Sequence, residues 1–259
     1  MGRFVTYEKK NNTAVVVINN PPLNVLERQV FEELLHTFQE LASDSGITAV
    51  LLTGSGSKAF VAGADIKEFP GLMENPDMLS AVMETHGILN YIAGFPKPTI
   101  GVLNGLTLGG GLELALTLDI RIAEEQVLIG LPEVKLGLFP GGGGTQRLSR
   151  LVGASKAKEM MFTGDTISAS EALDIGLVNQ VAPEGEGIIS ALKIAGRITP
   201  HSLQALSRIK FAVDKGSHLP LQEGIELEAR LFQEVFQTED IKEGVGAFLE
   251  KRKPIFKHR

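Results

Sequence analysis

No cysteine occurs anywhere in the 259 residues. Disulfides, thiolate nucleophiles and cysteine-ligated zinc are excluded, and a reducing, cytoplasmic setting is the expectation. Tryptophan is also missing, and the histidines (His36, His86, His201, His218 and His258) are scattered, with no His-x-x-x-His spacing. A metal centre built on them is not expected. Apolar runs are broken by glycine, proline or charge well short of the roughly 20 residues that a membrane span needs. The opening Met-Gly-Arg-Phe-Val-Thr-Tyr-Glu lacks the apolar core of a signal peptide. Basic excess is lacking too: a net charge of −6 and an isoelectric point near 5.5 argue against a broad nucleic-acid-binding face. Neither a P-loop nor a convincing dinucleotide fingerprint is present.

What the chain does have is an ordinary globular composition, 43% hydrophobic and 22% charged, long enough to bury a large core. "TAVVVINNPP" reads as a strand, and "RQVFEELLHTFQELAS" carries apolar residues at 30, 31, 34, 35, 38 and 41, a helical spacing. "ITAVLLTG", "KAFVAGAD", "PTIGVLNG", "DIRIAEE" and "VLIGLPE" read as strands or extended pieces. "GGLELALTL", "TQRLSRLVG" and "SKAKEMMFTG" read as helices, and "SASEALDIGLVNQVAP" as a Ser-capped helix followed by a strand. The stretch 69–95 is helical but irregular, and from about 186 the pattern is helical to the end. The fold class is therefore α/β, an alternating core followed by an α-helical C-terminal region.

Glycine is concentrated in "GSGSKAFVAGAD" (54–65), "LGGGLE" (108–113) and "PGGGGTQR" (140–147). "GSGSK" reads as a surface turn. "VAGAD" and "LGGGLE" leave backbone N–H groups uncovered, and two such amides aimed at one point stabilise an oxygen that gains negative charge. The same small residues also serve tight strand–helix packing, and composition does not choose between the two. Glu113, in the first turn of an apolar helix, and Glu133, just after Pro132, each have an ordinary reading as a helix-start carboxylate. Placed together, semi-buried carboxylates split their protonation states, so that one donates a proton while the other holds a water.

The segments "AFVAGADIKE" (59–68), "NGLTLGGGLELALTLDIRIA" (104–123), "LPEVKLGLFPGGGGTQRLSRLVG" (131–153), "TGDTISASEALDIGLVNQVAP" (163–183) and "FLEKRKPIFKHR" (248–259) resemble, in order, the crotonase (enoyl-CoA hydratase/isomerase) superfamily. The resemblance implies a spiral of strand–strand–helix turns over residues 1–195. A helical region over 196–259 would then build a homotrimer or hexamer. It implies an oxyanion hole at the amides of Ala64 and Gly110 and a substrate-binding loop including Ala62, Asp65, Ile66, Lys67 and Gly109. Glu113 and Glu133 stand at the positions of the two glutamates that hold water in hydratases. Isomerases of the family often keep only the second.

The implied activity is syn addition of water across a 2-enoyl-CoA in fatty-acid or branched-chain acyl-CoA breakdown. The substrate would be an acyl-CoA thioester; coenzyme A belongs to it, and no separate cofactor or metal is implied. A Δ3,Δ2-enoyl-CoA isomerase or another acyl-CoA lyase is the alternative on the same scaffold. A non-catalytic or RNA-binding relative is disfavoured by the acidic charge and by retention of both glutamates. The resemblance further places residues 69–95 against the acyl chain and lets Lys67 reach the nucleotide. The basic tail is implied to lie on CoA phosphates, against the plainer reading of a solvated terminus. Leu131 departs from hydratases that carry glutamine there.

Overall fold

The computed structural model describes residues 2–259. β1 (Val5–Lys10) pairs antiparallel with β2 (Thr13–Ile18). β1 escapes the hydrophobic pattern because it lies at the sheet edge, where its charged Glu8-Lys9-Lys10 end faces water. β2 is buried on both faces: Ala14, Val16 and Ile18 join one core and Val15 the other. After an extended piece containing Leu26, α1 (Arg28–Ser43) turns Val30, Leu34, Phe38 and Leu41 onto the sheet.

The next turn lays β3 (Ala49–Gly54) parallel to β2 and then starts a second sheet with β4 (Ala59–Val61). A 3₁₀ turn at Ile66–Glu68 leads into α2 (Phe69–Met73) and α3 (Met78–Ala93). The irregular helix expected at 69–95 is thus two helices, the second capped by Asp77, whose carboxylate accepts from the Ser80 N–H at 3.2 Å. β5 (Thr99–Leu103) then enters the first sheet, β6 (Leu106–Leu108) the second, and α4 (Gly110–Ala115) follows. The fourth turn gives β7 (Ile120–Glu124), β8 (Leu128–Gly130), a 3₁₀ turn Pro132–Leu136, α5 (Gly144–Val152) and α6 (Ala154–Thr163). β9 (Thr166–Ser168), α7 (Ala169–Asp174), β10 (Gln180–Ala182) and α8 (Gly187–Ile198) close the core.

The long sheet runs β1-β2-β3-β5-β7-β10 and the short one β4-β6-β8-β9. The turns that begin at β3, β5 and β7 each give one strand to the long sheet, the next to the short sheet, then a helix, so the chain winds as the expected spiral. Every pairing among β2, β3, β5 and β7 is parallel, which explains their near-continuous apolar runs. One face of the long sheet packs on α1 and α3, and there Phe38 of α1 meets Phe95, just past α3, edge to face at 5.0 Å. The other packs on α8 through Ala191 and Ala195. The boundary expected at 195/196 falls inside α8, which belongs to the sheet because its small buried face lies on it.

Beyond α8, α9 (Leu203–Gly216), α10 (Leu221–Val235) and α11 (Glu239–Leu249) form the helical region. Helix stops at Leu249, short of the expected end. The basic tail folds back instead: Arg252 forks onto Glu243 at 2.6 and 2.9 Å. Buried Asp240 accepts from the N–H groups of Lys257 at 2.8 Å and His258 at 3.1 Å. Much of the tail's hydrogen bonding is therefore internal.

Candidate active site

The cleft forms where the short strands end. Leu26 N–H donates to the Gly63 carbonyl at 2.9 Å, and Asp65 N–H donates to the Leu26 carbonyl at 3.0 Å. Leu26 thus bridges across Ala64. In such a parallel bridge the middle residue turns its own N–H to the opposite side. Among the described residues no protein acceptor takes the Ala64 amide. Ala62 is tied one step earlier, its N–H on the Leu23 carbonyl at 3.0 Å. Asp65 accepts from the Lys67 N–H at 3.1 Å and so opens the 3₁₀ turn that lifts Ile66 and Lys67 into solvent.

The second amide is delivered by α4. Gly109 has φ +52°, a conformation that suits glycine, and a Cβ there would stand 2.9 Å from Glu133 Oε1. Gly110 takes the first helical position, whose N–H has no partner inside the helix. A Cβ on Gly110 would come 3.5 Å from the Ala64 nitrogen, which puts the two amides side by side. At Gly111 a Cβ would collide with the Val61 carbonyl, so α4 lies directly against β4. Both readings of these glycines hold: 111 serves packing, and 109 and 110 open backbone to the cleft.

Glu113 is buried in the first turn of α4, and its Oε1 accepts from Gly142 N–H and Gly144 N–H, each at 2.7 Å. Burial raises its pKa; the two amides oppose that rise, joined by the charges of His86 and Arg147. Glu133 enters from the 3₁₀ turn after β8, and its buried Oε2 has no hydrogen-bond partner. Burial pushes its pKa up to about 7, a bond from its own backbone pulls it back, and repulsion from Glu113 adds to the rise. One carboxyl is pinned by two amides; the other leaves Oε2 without a partner and has its pKa raised to about 7, the split expected of an acid–base pair.

The structure thus brings Gly109 against Glu133 and Gly110 against Ala64, and sets Glu133 close enough to feel the Glu113 charge. Ile66 and Lys67 stand at the rim of the cleft. Leu131 is fully buried and packs toward Gly144, which accounts for an apolar residue there. Sequence reasoning assigned no role to Gly142, Gly144, Asn90 or Arg147. The signal available was the glycine run itself, since consecutive glycines leave several N–H groups free to converge on one anion.

The family model described as enoyl-CoA hydratase/isomerase matches residues 8–259. A short-chain-enoyl-CoA hydratase of Clostridium acetobutylicum is 42% identical over 96% of this chain and 95% of its own. A crotonyl-CoA hydratase of Syntrophomonas wolfei is 41% identical over 97% of each chain. The crystal structure of an enoyl-CoA hydratase from Geobacillus kaustophilus superposes with a TM-score of 0.95 at 36% identity, over 100% of this chain and 98% of that one.

Proposed function

The chain belongs to the enoyl-CoA hydratase/isomerase family, and we propose that it is an enoyl-CoA hydratase adding water syn across a 2-enoyl-CoA to give a 3-hydroxyacyl-CoA. The observation that carries this reading is the pairing of pinned Glu113 with Glu133, whose Oε2 has no partner, beside two bare amides. An isomerase needs one group to shuttle a proton and has no use for a second carboxylate held by two backbone donors.

The thioester carbonyl takes the Ala64 and Gly110 amides, which stabilise the enolate as charge moves onto oxygen; one such donor is typically worth about 10²–10³ in rate. Glu113 orients a water and accepts its proton as the oxygen bonds to Cβ. The former π electrons take a proton from Glu133 at Cα. Both carboxyls act from one face, which makes the addition syn, and proton exchange with solvent resets them. Ile66 and Lys67 at the rim are assigned to the CoA moiety, which belongs to the substrate, and no further cofactor is invoked. The reading places the protein in the cytoplasm, consistent with a chain free of cysteine. No helix among the described residues is long and apolar enough to cross a membrane.

The helical region is assigned to self-association as a trimer or hexamer. It is supported by α9 and α10, neither of which buries a residue and which expose Ile209, Phe211, Val213, Ile225 and Phe232.

The test is hydration of crotonyl-CoA, followed by loss of the conjugated absorbance, in the wild type and in Glu113→Gln and Glu133→Gln. Each variant is expected to lose about 10²–10⁴ in kcat with the fold intact by circular dichroism. Near-normal turnover in either variant rejects its role. Conversion of 3-enoyl-CoA without hydration would assign the isomerase instead.

A further inference from the structure

Glu113 stays pinned only while the Gly142 and Gly144 amides point inward, and a side chain outside the glycine run touches the peptide between them. Arg147 lies in the first turn of α5, and its guanidinium folds back over the start of its own helix. Nη1 donates to the Gly142 carbonyl at 3.0 Å, and Nη2 donates to Asn90 Oδ1 on α3 at 2.7 Å. A Cβ on Gly143, whose φ is +103°, would collide with Nη1, so glycine makes room for the guanidinium. The Gly142 carbonyl belongs to the peptide plane lying between the two donors that hold Glu113.

The placement is costly in isolation. A cation at a helix N-terminus opposes the helix dipole, and partial burial draws the arginine pKa down while the Glu113 charge draws it back up. A guanidinium fork set against a backbone carbonyl also has a geometry that a lysine ammonium does not reproduce.

We propose that Arg147, braced by Asn90, is a positioning residue for Glu113: it fixes the Gly142–Gly143 peptide so that both flanking amides converge on the carboxylate. This role rests on the hydratase reading for its consequence in turnover, but its effect on Glu113 exists without substrate. The charged and titratable groups facing Glu113 are His86 from α3, Arg147 from α5 and Glu133 after β8. Only Arg147 also shapes the backbone that holds it.

The experiment compares wild type with Arg147→Ala, Arg147→Lys and Asn90→Ala. In Arg147→Ala, kcat for crotonyl-CoA hydration is expected to fall roughly 10-fold to 100-fold, part of what a positioned acid–base group supplies, with KM changing less than about 3-fold. The acid limb of the kcat profile moves to higher pH, because the charged form of Glu113 loses both a cation and its aligned donors. Millimolar guanidinium restores part of kcat in Arg147→Ala. Asn90→Ala moves the limb the same way by less, and Arg147→Lys leaves it between wild type and alanine.

Carbon-13 NMR titration of Glu113, assigned against Glu113→Gln, reads the same shift with no substrate present. An unmoved Glu113 titration in Arg147→Ala, or in Asn90→Ala and Arg147→Lys should the alanine variant not fold, overturns the proposal whatever the melting temperature does. A wild type that fails to hydrate crotonyl-CoA while the NMR shift appears would sink the hydratase reading and leave the positioning role standing.

Discussion

At the scale of single residues, Glu133 carries the most testable charge in the molecule. Its pKa near 7 lies above the ordinary carboxyl value of 4.5. The folded state therefore favours the protonated form. The stability this contributes is complete below about pH 4.5 and is lost as pH rises through about 7. Glu133→Gln should raise the melting temperature relative to wild type more at pH 8 than at pH 5. The expected difference is about 1 kcal/mol after allowance for solvent access to a group only partly buried, and thermal melts at the two pH values measure it. The same proton is the one delivered to Cα, so kcat/KM for hydration should decline above pH 7. Both glutamates were legible as chemistry-bearing residues, and the resemblance gave them separate roles, but the environments that set them apart were not legible. Sequence places each in a helix-start turn; only the fold gives Glu113 two amide partners and leaves Glu133 Oε2 with none.

At the scale of elements, two glycines separate positioning from packing. A Cβ on Gly142 would come 2.5 Å from Glu113 Oε2, so Gly142→Ala should push the carboxylate off its donors. Turnover is expected to drop by about 10²-fold with little change in the urea midpoint. Gly111→Ala strikes the Val61 carbonyl behind the cleft and should lower stability by about 1–3 kcal/mol, read from the same urea curves. The buried parallel strands and α1 were readable because they carry long, regular apolar patterns. β1 and β9 were not, since a charged edge strand and a three-residue strand hold too few alternations to stand out. The end of α11 was missed for a different reason: Asp240 and Glu243 capture the tail's N–H groups, a long-range contact that local pattern does not encode.

At the scale of the whole molecule, the unburied apolar side chains of α9 and α10 predict assembly. Light scattering should give three or six times the 27.8 kDa chain mass. Phe211→Asp combined with Phe232→Asp should reduce it toward one. The alternation of strands and helices was visible in the sequence, but the winding of the strands into two sheets came from the resemblance, because periodicity says nothing about which strand neighbours which. That winding has a further consequence. Leu26, Ala64, Glu113 and Glu133 come from four successive turns, each at the level where its strand in or beside the short sheet ends. The full set meets only when the turn carrying Glu133 has wound onto the three before it, so the first full-rate reaction cycle of a newly made chain marks that turn's arrival.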